Sequence, residues 1–211
     1  MSTPILILGE SGAGKSASMR NLDPKKTLLI QALRKQLPFK PGEWQPLDLE
    51  KGTGNIVVTD RSTEILQFMQ RTKRKIIVID DFQYILANEF MRRSDERGYD
   101  KFTEIGRHAW DILCMAAQLP SDVHVYILGH TDTNDDGRIR TKTIGKMLNE
   151  KITVEGMFTI VMRAIARDGE YFFSTRTSGN DPVKTPMGMF EDELIPNDLK
   201  FVDDAITAYG W

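Results

Sequence analysis

The chain has 211 residues, with 28 Lys and Arg against 30 Asp and Glu, so its net charge is -2. This length supports one large domain rather than two independent cores, and the balanced charge excludes a generally basic nucleic-acid coat while allowing a local basic patch. We therefore treat residues 1–211 as a single domain, with a core over 1–150 and an extension over 151–211.

Short apolar runs separated by helical patterns predict an α/β fold. The runs are apolar at successive positions, which is typical of strands covered on both faces. The alternation of strand and helix favours a mostly parallel sheet sandwiched by helices. The predicted strands are Ile5–Leu8, Thr27–Ile30, Ile56–Val58, Ile76–Ile79 and Val123–Leu128, and the predicted helices are Ser62–Thr72 and Thr103–Leu119.

The pattern changes after residue 150. An Asp-Gly pair between the apolar runs 157–166 and 170–175 predicts an antiparallel hairpin that extends the sheet. The segment 178–196 is rich in Gly, Pro and Asn, which favours an irregular path. A last helix is expected to begin at Asn197 or Asp198, because both residue types cap helices well.

Nothing in this sequence predicts a membrane or secreted location. The apolar run Ile5–Leu8 is too short for a signal peptide or a membrane span. The one cysteine, Cys114, cannot form an intramolecular disulfide and is expected to fill space in a helix. We therefore expect a cytoplasmic protein without a membrane partner.

The phosphate loop, Gly9–Ser16, fits G-x-x-x-x-G-K-[ST] at every fixed position and stands between a predicted strand and a helix over Lys15–Asn21. Glycines allow successive N–H groups to surround a phosphate, and the helix N-terminus adds positive charge. The motif predicts that Lys15 reaches the β- and γ-phosphates of a nucleoside triphosphate and that Ser16 ligates Mg²⁺. The expected nucleotide-binding residues are Gly9, Glu10, Ser11, Gly12, Ala13, Gly14, Lys15, Ser16 and Ala17.

A second motif is a buried strand that ends in two acids. Four apolar residues, 76–79, precede Asp80 and predict that its carboxylate lies beside the phosphate loop, where it can hold magnesium through water. Asp81 follows directly. It could polarise the attacking water, or it could cap a helix that begins at Phe82.

A third strand ends in polar residues that could sense the nucleotide. His130 or Thr131 would suit contact with a γ-phosphate, and an ordinary histidine at a strand end is the alternative. Neither His108 nor His124 has metal-ligand spacing, so no zinc or haem site is expected. The patterns N-K-x-D and L-S-G-G-Q are absent, which disfavours a small GTPase and a transporter ATPase and leaves ATP or dATP.

The segment 138–151 carries five basic residues and one acid. Its basic side chains could grip the backbone of single-stranded DNA, or one arginine could reach the γ-phosphate of a neighbouring subunit; a solvated basic hairpin is the alternative. The candidates are Arg138, Arg140, Lys142 and Lys146. Downstream, the hairpin interleaves arginines with Tyr171, Phe172 and Phe173, which we interpret as core residues in preference to base-stacking ones.

These features occur in an order that resembles small phage-encoded P-loop ATPases with a RecA-like core, whose members are associated with single-strand annealing and recombination. The resemblance spans nearly the whole chain, but only the phosphate loop and the Asp80 strand are specific motifs. It implies a RecA-like fold in which Lys15 and Ser16 bind phosphate and magnesium. It also implies that Asp80 supports the metal and that His130 or Thr131 senses the nucleotide.

One departure from the resemblance concerns the catalytic base. RecA-like proteins commonly place a glutamate at or just beyond the strand after the phosphate-loop helix. This chain has Gln31 there and no acid before Glu43. The acids that remain near the phosphate loop are Asp81 and Glu10, so we expect slow hydrolysis.

The sequence thus predicts a Mg²⁺-dependent ATPase of phage origin that acts in DNA recombination or annealing, with Lys15, Asp81 and His130 as catalytic residues. The expected partners are single-stranded DNA, further copies of the chain, and a single-strand-binding protein. Two other functions fit the same motifs. One is a small-molecule kinase with Arg138 and Arg140 in a lid, and the other is a regulatory ATP-binding protein with little turnover.

Overall fold

The computed structural model describes residues 1–144 and 152–211, and their strands belong to one sheet. The strands are β1 (Thr3–Gly9), β2 (Thr27–Gln31), β3 (Ile56–Val58), β4 (Ile76–Asp80), β5 (His124–Thr133), β6 (Ile139–Thr141), β7 (Ile160–Arg167), β8 (Glu170–Ser174) and β9 (Leu194–Pro196). The helices are α1 (Ser62–Arg71), α2 (Gln83–Arg92), α3 (Asp100–Gln118) and α4 (Leu199–Tyr209), with 3₁₀ turns at Ser16–Asn21 and Val154–Met157.

The sheet is parallel through its centre and antiparallel at one edge. Its order is β3-β2-β4-β5-β1-β7-β8-β9, with β6 paired to β5. The six strands from β3 to β7 in this order run parallel to their neighbours, whereas β8 and β9 add an antiparallel edge. The predicted mostly parallel sheet with a C-terminal hairpin is confirmed. Strand β9 is an addition, because it lies inside the segment expected to be irregular.

Helices cover both faces of the sheet. Successive side chains of a strand point to opposite faces, so strands that are apolar throughout present an apolar surface on each face. On one face, Leu6 and Ile77 belong to a core cluster with residues of α1, α2 and α3. On the other face, Ile5 and Val78 belong to a cluster with residues of α4 and of the first 3₁₀ turn. The predicted sandwich is therefore confirmed. Among the described residues, no helix is long and apolar enough to cross a lipid bilayer.

Several element boundaries differ from the predicted ones. The residues after the phosphate loop form a 3₁₀ turn rather than an α-helix, and the Ser18 hydroxyl donates to the Lys15 carbonyl there, as serines do when they compete with helical bonds. Helix α3 begins at Asp100 rather than Thr103. Strand β5 continues to Thr133, because its last residues pair with β6. In the hairpin, residues before Ile160 are outside the strand.

Helix α4 is fixed at its start and along its length. Asp198 caps it, as predicted, because its side chain accepts a hydrogen bond from the Lys200 N–H at 2.9 Å. Asp203 accepts from the Tyr126 hydroxyl at 2.8 Å and lies 2.7 Å from Nδ1 of His124, so it ties the helix to β5. The packing of α4 positions Asn197, which directly precedes the capping residue Asp198.

Candidate functional site

The carboxyl ends of three parallel strands meet at one edge of the sheet. Strand β5 lies between β1 and β4, with His130 in register with Gly9 and with Ile127 in register with Ile79. Parallel α/β sheets bind ligands at this edge, just beyond the ends of the strands. The topology therefore brings the phosphate loop, Asp80 and His130 together.

A cavity of about 890 Å³ opens at this edge. Its size falls within the range of small-molecule and cofactor sites. One wall is the phosphate loop, and a second wall is formed by β8 and β9, whose Tyr171 lies against Gly14. The residues that line it include Ser11, Gly12, Gly14, Lys15, Ser16 and Ala17, together with Lys35, Asp81, His130, Tyr171, Phe172, Pro196 and Asn197.

The phosphate loop depends on two glycines with left-handed backbone conformations. Gly12 has φ 82° and Gly14 has φ 90°, a region that L residues avoid. A Cβ at Gly14 would also come within 2.9 Å of Cδ1 of Tyr171. Gly14 is therefore constrained both by its backbone and by the β8 side chain above it.

Three of the predicted nucleotide-binding residues lie outside the cavity wall. Gly9 is the last residue of β1, and Ala13 is buried in the core cluster that contains α4. Glu10 is exposed, and it contributes its backbone carbonyl to the loop. The predicted contact residues that line the cavity are thus Ser11, Gly12, Gly14 and the stretch 15–17.

The Lys15 ammonium is held against its own loop. Nζ donates to the carbonyls of Gly9 at 2.7 Å and Glu10 at 2.8 Å, and the residue is buried. Burial lowers the pKa of Lys15 to about 8, and the charges of Asp81 and Asp80 oppose the effect. The amine is therefore a charged donor at neutral pH that loses its proton in mildly basic solution.

Ser16 and Asp80 form an oxygen pair suited to magnesium. The Ser16 hydroxyl lies 2.9 Å from both carboxylate oxygens of Asp80, which is 1% exposed. Burial raises the pKa of Asp80, and the nearby Asp81 charge raises it further. Hydroxyl and carboxylate oxygens are the hard ligands that magnesium prefers, with water and phosphate completing its shell.

A cation already fits between these oxygens, because Nζ of Lys35 lies 3.4 Å from Ser16 Oγ and 3.4 Å from Asp80 Oδ2. The residues present are therefore compatible with a magnesium ion. Over residues 1–144 and 152–211, no group of three or more His, Cys, Asp and Glu side chains could hold a metal by itself. A magnesium ion here would take water or the phosphates of a nucleotide as further ligands.

Asp81 is an ionised carboxylate on a strained backbone. Its φ of 62° lies in the left-handed region, which residues with a Cβ rarely adopt. Burial raises the pKa of Asp81, but His130 and Lys35 outweigh burial and hold the pKa below its usual value. The carboxylate contacts Lys35 and lies 3.6 Å from Nε2 of His130. Since α2 begins without a side-chain cap, the capping interpretation of Asp81 is wrong.

Of the two candidate sensors, His130 lies in the cavity and Thr131 lies beyond it. His130 belongs to β5, its backbone N–H donates to the Gln83 side chain at 3.3 Å, and its ring meets the edge of Tyr84. Thr131 pairs with Thr141 of β6. Because His130 lines the cavity and Thr131 does not, His130 is the better candidate to face a bound nucleotide.

Two buried side-chain amides at the site each have a nitrogen without a hydrogen-bond partner in the part of the chain that the structure describes. Gln31 is in register with Asp80 on the adjacent strand, and its Nε2 has no partner among the described residues. Gln31 occupies the position where RecA-like proteins commonly have a glutamate. Asn197 is 4% exposed and lines the cavity, and its Nδ2 also has no hydrogen-bond partner among the described residues. Buried donors of this kind are normally satisfied, so a ligand group is the natural acceptor at Asn197.

The sequence predictions missed Lys35 and Asn197, and they placed Tyr171 in the core. Phe173 is buried as expected, whereas Phe172 is only partly buried and Tyr171 is half-exposed, and both of these line the cavity. No local pattern marks Lys35, which reaches the site because β2 adjoins the Asp80 strand. No local pattern marks Asn197, whose location follows from the packing of β9.

The DNA-binding candidates that the structure describes, Arg138, Arg140 and Lys142, lie outside the cavity lining. Arg138 and Lys142 are exposed, and Arg140 on β6 forms an ion pair with Asp132 at 3.2 Å. Lys146 is outside the described residues. The backbone N–H of Lys142 donates to the carbonyl of His130, so the basic segment is bonded directly to the strand that faces the cavity.

Comparison with known proteins places this chain near one family. The family model described as an AAA domain matches residues 2–186, which is most of the chain. Among solved structures, the chain is similar to a KaiC-like protein from Pyrococcus horikoshii OT3, with 10% identity and a TM-score of 0.45. That match covers 84% of this chain and 81% of the other. Comparison with curated proteins gives no match.

Proposed function

This chain belongs to the AAA domain family, and on that premise we propose that it binds MgATP in the cavity beside the phosphate loop and hydrolyses it. The observation that carries the proposal is the convergence of three groups at one sheet edge. They are the Lys15 ammonium, the Ser16–Asp80 oxygen pair and the ionised Asp81 carboxylate. Together they provide a phosphate ligand, a metal site and a proton acceptor.

Each group has a distinct role in the proposal. Lys15 exchanges its bonds with the loop carbonyls for bonds with phosphate oxygens. Ser16 and Asp80 would hold magnesium, which when bound neutralises phosphate charge. Asp81 accepts a proton from the attacking water, and His130 fixes the orientation of the Asp81 carboxylate. With Gln31 in place of a glutamate, two acids line the cavity, Asp81 and the exposed Glu170 of β8, and Asp81 is the one that directly follows the metal-site residue Asp80.

The cavity wall formed by β8 and Asn197, which lies against Gly14, fits the nucleoside. Tyr171 offers a half-exposed ring on which a planar base can stack, and Asn197 offers a buried amide donor. Tyr171→Ala is expected to weaken ATP binding about ten-fold, since stacking on an aromatic ring contributes roughly 1–3 kcal/mol. Calorimetric titration with MgATP measures the effect, and Tyr171→Phe should retain the affinity.

Inorganic tripolyphosphate is the matched probe for the phosphate end. It should bind wild type and Tyr171→Ala equally well, because it has no base to stack. If Tyr171→Ala weakens tripolyphosphate as much as ATP, the residue supports the loop and the base lies elsewhere. If wild type binds neither compound, the proposed nucleotide site is wrong.

We further propose that the ATPase acts on single-stranded DNA in recombination or annealing, with a phage origin and assembly of several copies. Support comes from the order of motifs and from the exposed basic side chains of the β5–β6 hairpin. Because this hairpin continues the strand that carries His130, DNA bound to Arg138 and Lys142 would lie close to the nucleotide. The exposed Arg138 is also the candidate to reach a neighbouring copy's γ-phosphate. A single-strand-binding protein would supply such DNA.

Removing these basic side chains tests the DNA assignment. We expect single-stranded DNA to stimulate ATP turnover, and the stimulation to fade as salt rises, because phosphate contacts release counterions. The double variant Arg138→Ala with Lys142→Ala should weaken DNA binding and lower the salt slope by about 1 per residue removed. Lys25→Ala, a change at an exposed lysine with 79% side-chain exposure, is the control. Turnover indifferent to DNA would contradict the assignment and favour a small-molecule kinase.

A further inference from the structure

The ammonium of Lys35 lies where the metal ligands of the site converge. Nζ is 3.4 Å from Ser16 Oγ and 3.4 Å from Asp80 Oδ2, and it contacts Asp81 Oδ2. The first two oxygens belong to the side chains that would hold a magnesium ion, and the third belongs to the proposed proton acceptor. No pattern in the sequence assigned a role to this lysine.

We propose that Lys35 is a built-in substitute for magnesium: its ammonium holds the cation position in the nucleotide-free protein, and MgATP displaces it towards the γ-phosphate. This inference rests on the proposed MgATP site. It adds a residue that couples the entry of the metal to the entry of the nucleotide.

Charge explains why a substitute is needed. Asp80 and Asp81 are adjacent carboxylates, and both are buried. Two negative charges on neighbouring buried carboxylates destabilise each other unless a cation compensates them. Lys35 supplies that charge while the nucleotide is absent. A free divalent ion must then compete with a tethered cation, whereas a metal that arrives with a triphosphate brings its own counter-charge.

Geometry explains why the lysine must move. Magnesium binds its oxygen ligands at about 2.0–2.1 Å. An ion bound to both Ser16 and Asp80 on the side of the cavity would lie against the Lys35 ammonium, which is 3.4 Å from an oxygen of each, and two cations cannot share the position. The Lys35 side chain is 36% exposed and lines the same cavity as the phosphate loop. It therefore has room to swing towards a bound phosphate.

The first test uses Mn²⁺ as the probe, with electron paramagnetic resonance to count free ions, on the full chain without nucleotide. Lys35→Met should bind Mn²⁺ at least about ten-fold more tightly than wild type, because the competing charge is gone. Lys25→Met makes the same change at an exposed site and should leave Mn²⁺ affinity unchanged. Adding Asp80→Asn to Lys35→Met should abolish the gain. Equal Mn²⁺ affinity in wild type and Lys35→Met would overturn the proposal.

The second test keeps a positive charge at position 35. It therefore does not depend on whether Lys35→Met folds. The lysines of the wild-type chain are labelled by reductive ¹³C-methylation, which keeps them cationic, and Lys35→Arg assigns the Lys35 signal. The β,γ-imido analogue of ATP should move this signal in the presence of Mg²⁺ and much less in the presence of EDTA. A bound Mg²⁺ complex that leaves the signal in place would overturn the inference alone. No binding of the analogue by calorimetry would overturn the proposed function and the inference with it.

Discussion

Replacing Asp81 with Asn is expected to lower kcat for ATP hydrolysis by at least about 100-fold while MgATP still binds. The carboxylate is ionised and lies in the cavity, so it can accept the proton of an attacking water; an amide of the same shape cannot. Asparagine tolerates the left-handed conformation that this position requires, so the backbone is preserved. Quenched single-turnover reactions at saturating MgATP measure the chemical step directly.

Asp168→Asn is the matched control for this change. Asp168 is the other non-glycine residue with a positive φ among the described residues, at 53°, and its side chain is 90% exposed in the β7–β8 turn. It should hydrolyse ATP as wild type does. If Asp81→Asn also turned over normally, the proton acceptor would have to be another group, and the role given to Asp81 would be wrong.

Lys15→Ala is expected to weaken MgATP binding about 100-fold, because charge-assisted hydrogen bonds to phosphate are lost. The same residue gives wild type a characteristic pH dependence. Burial lowers the pKa of Lys15 to about 8, so the free amine becomes neutral as the pH rises through that value. Affinity should then fall by up to about ten-fold per pH unit above 8, since binding requires proton uptake. Calorimetric titrations between pH 7 and 9.5 measure this dependence.

Lys15→Arg separates the charge from its titration. A guanidinium stays protonated throughout this pH range, so the variant should lose the pH dependence even if its absolute affinity differs. A flat affinity profile in wild type would show that the Lys15 amine does not contact phosphate in its charged form.

The sequence predicted those parts of the site that are local in the chain. The phosphate loop is one continuous motif, and the Asp80 strand is recognisable because four apolar residues deliver its carboxylate to a sheet edge. The parallel sheet followed from the same apolar runs. Strand β9 escaped prediction because three residues in a segment rich in Gly and Pro carry no alternating pattern.

The unpredicted site residues come from tertiary packing. Lys35 reaches Ser16 and Asp80 because β2 adjoins β4, a neighbour relationship that no spacing encodes. Asn197 meets Gly14 because α4 is tied to β5 by Asp203. The choice between two roles for Asp81 also required the structure. The local sequence fits both roles equally well, because a carboxylate after a strand can cap a helix or face a cavity.

Release of inorganic phosphate shows whether this cavity hydrolyses ATP. The purified chain is incubated with MgATP, and inorganic phosphate is followed over time, with Lys15→Ala as the blank. We expect magnesium-dependent release by wild type that Lys15→Ala lacks. Binding of MgATP without release above the Lys15→Ala blank would contradict this expectation and identify a regulatory nucleotide-binding protein instead.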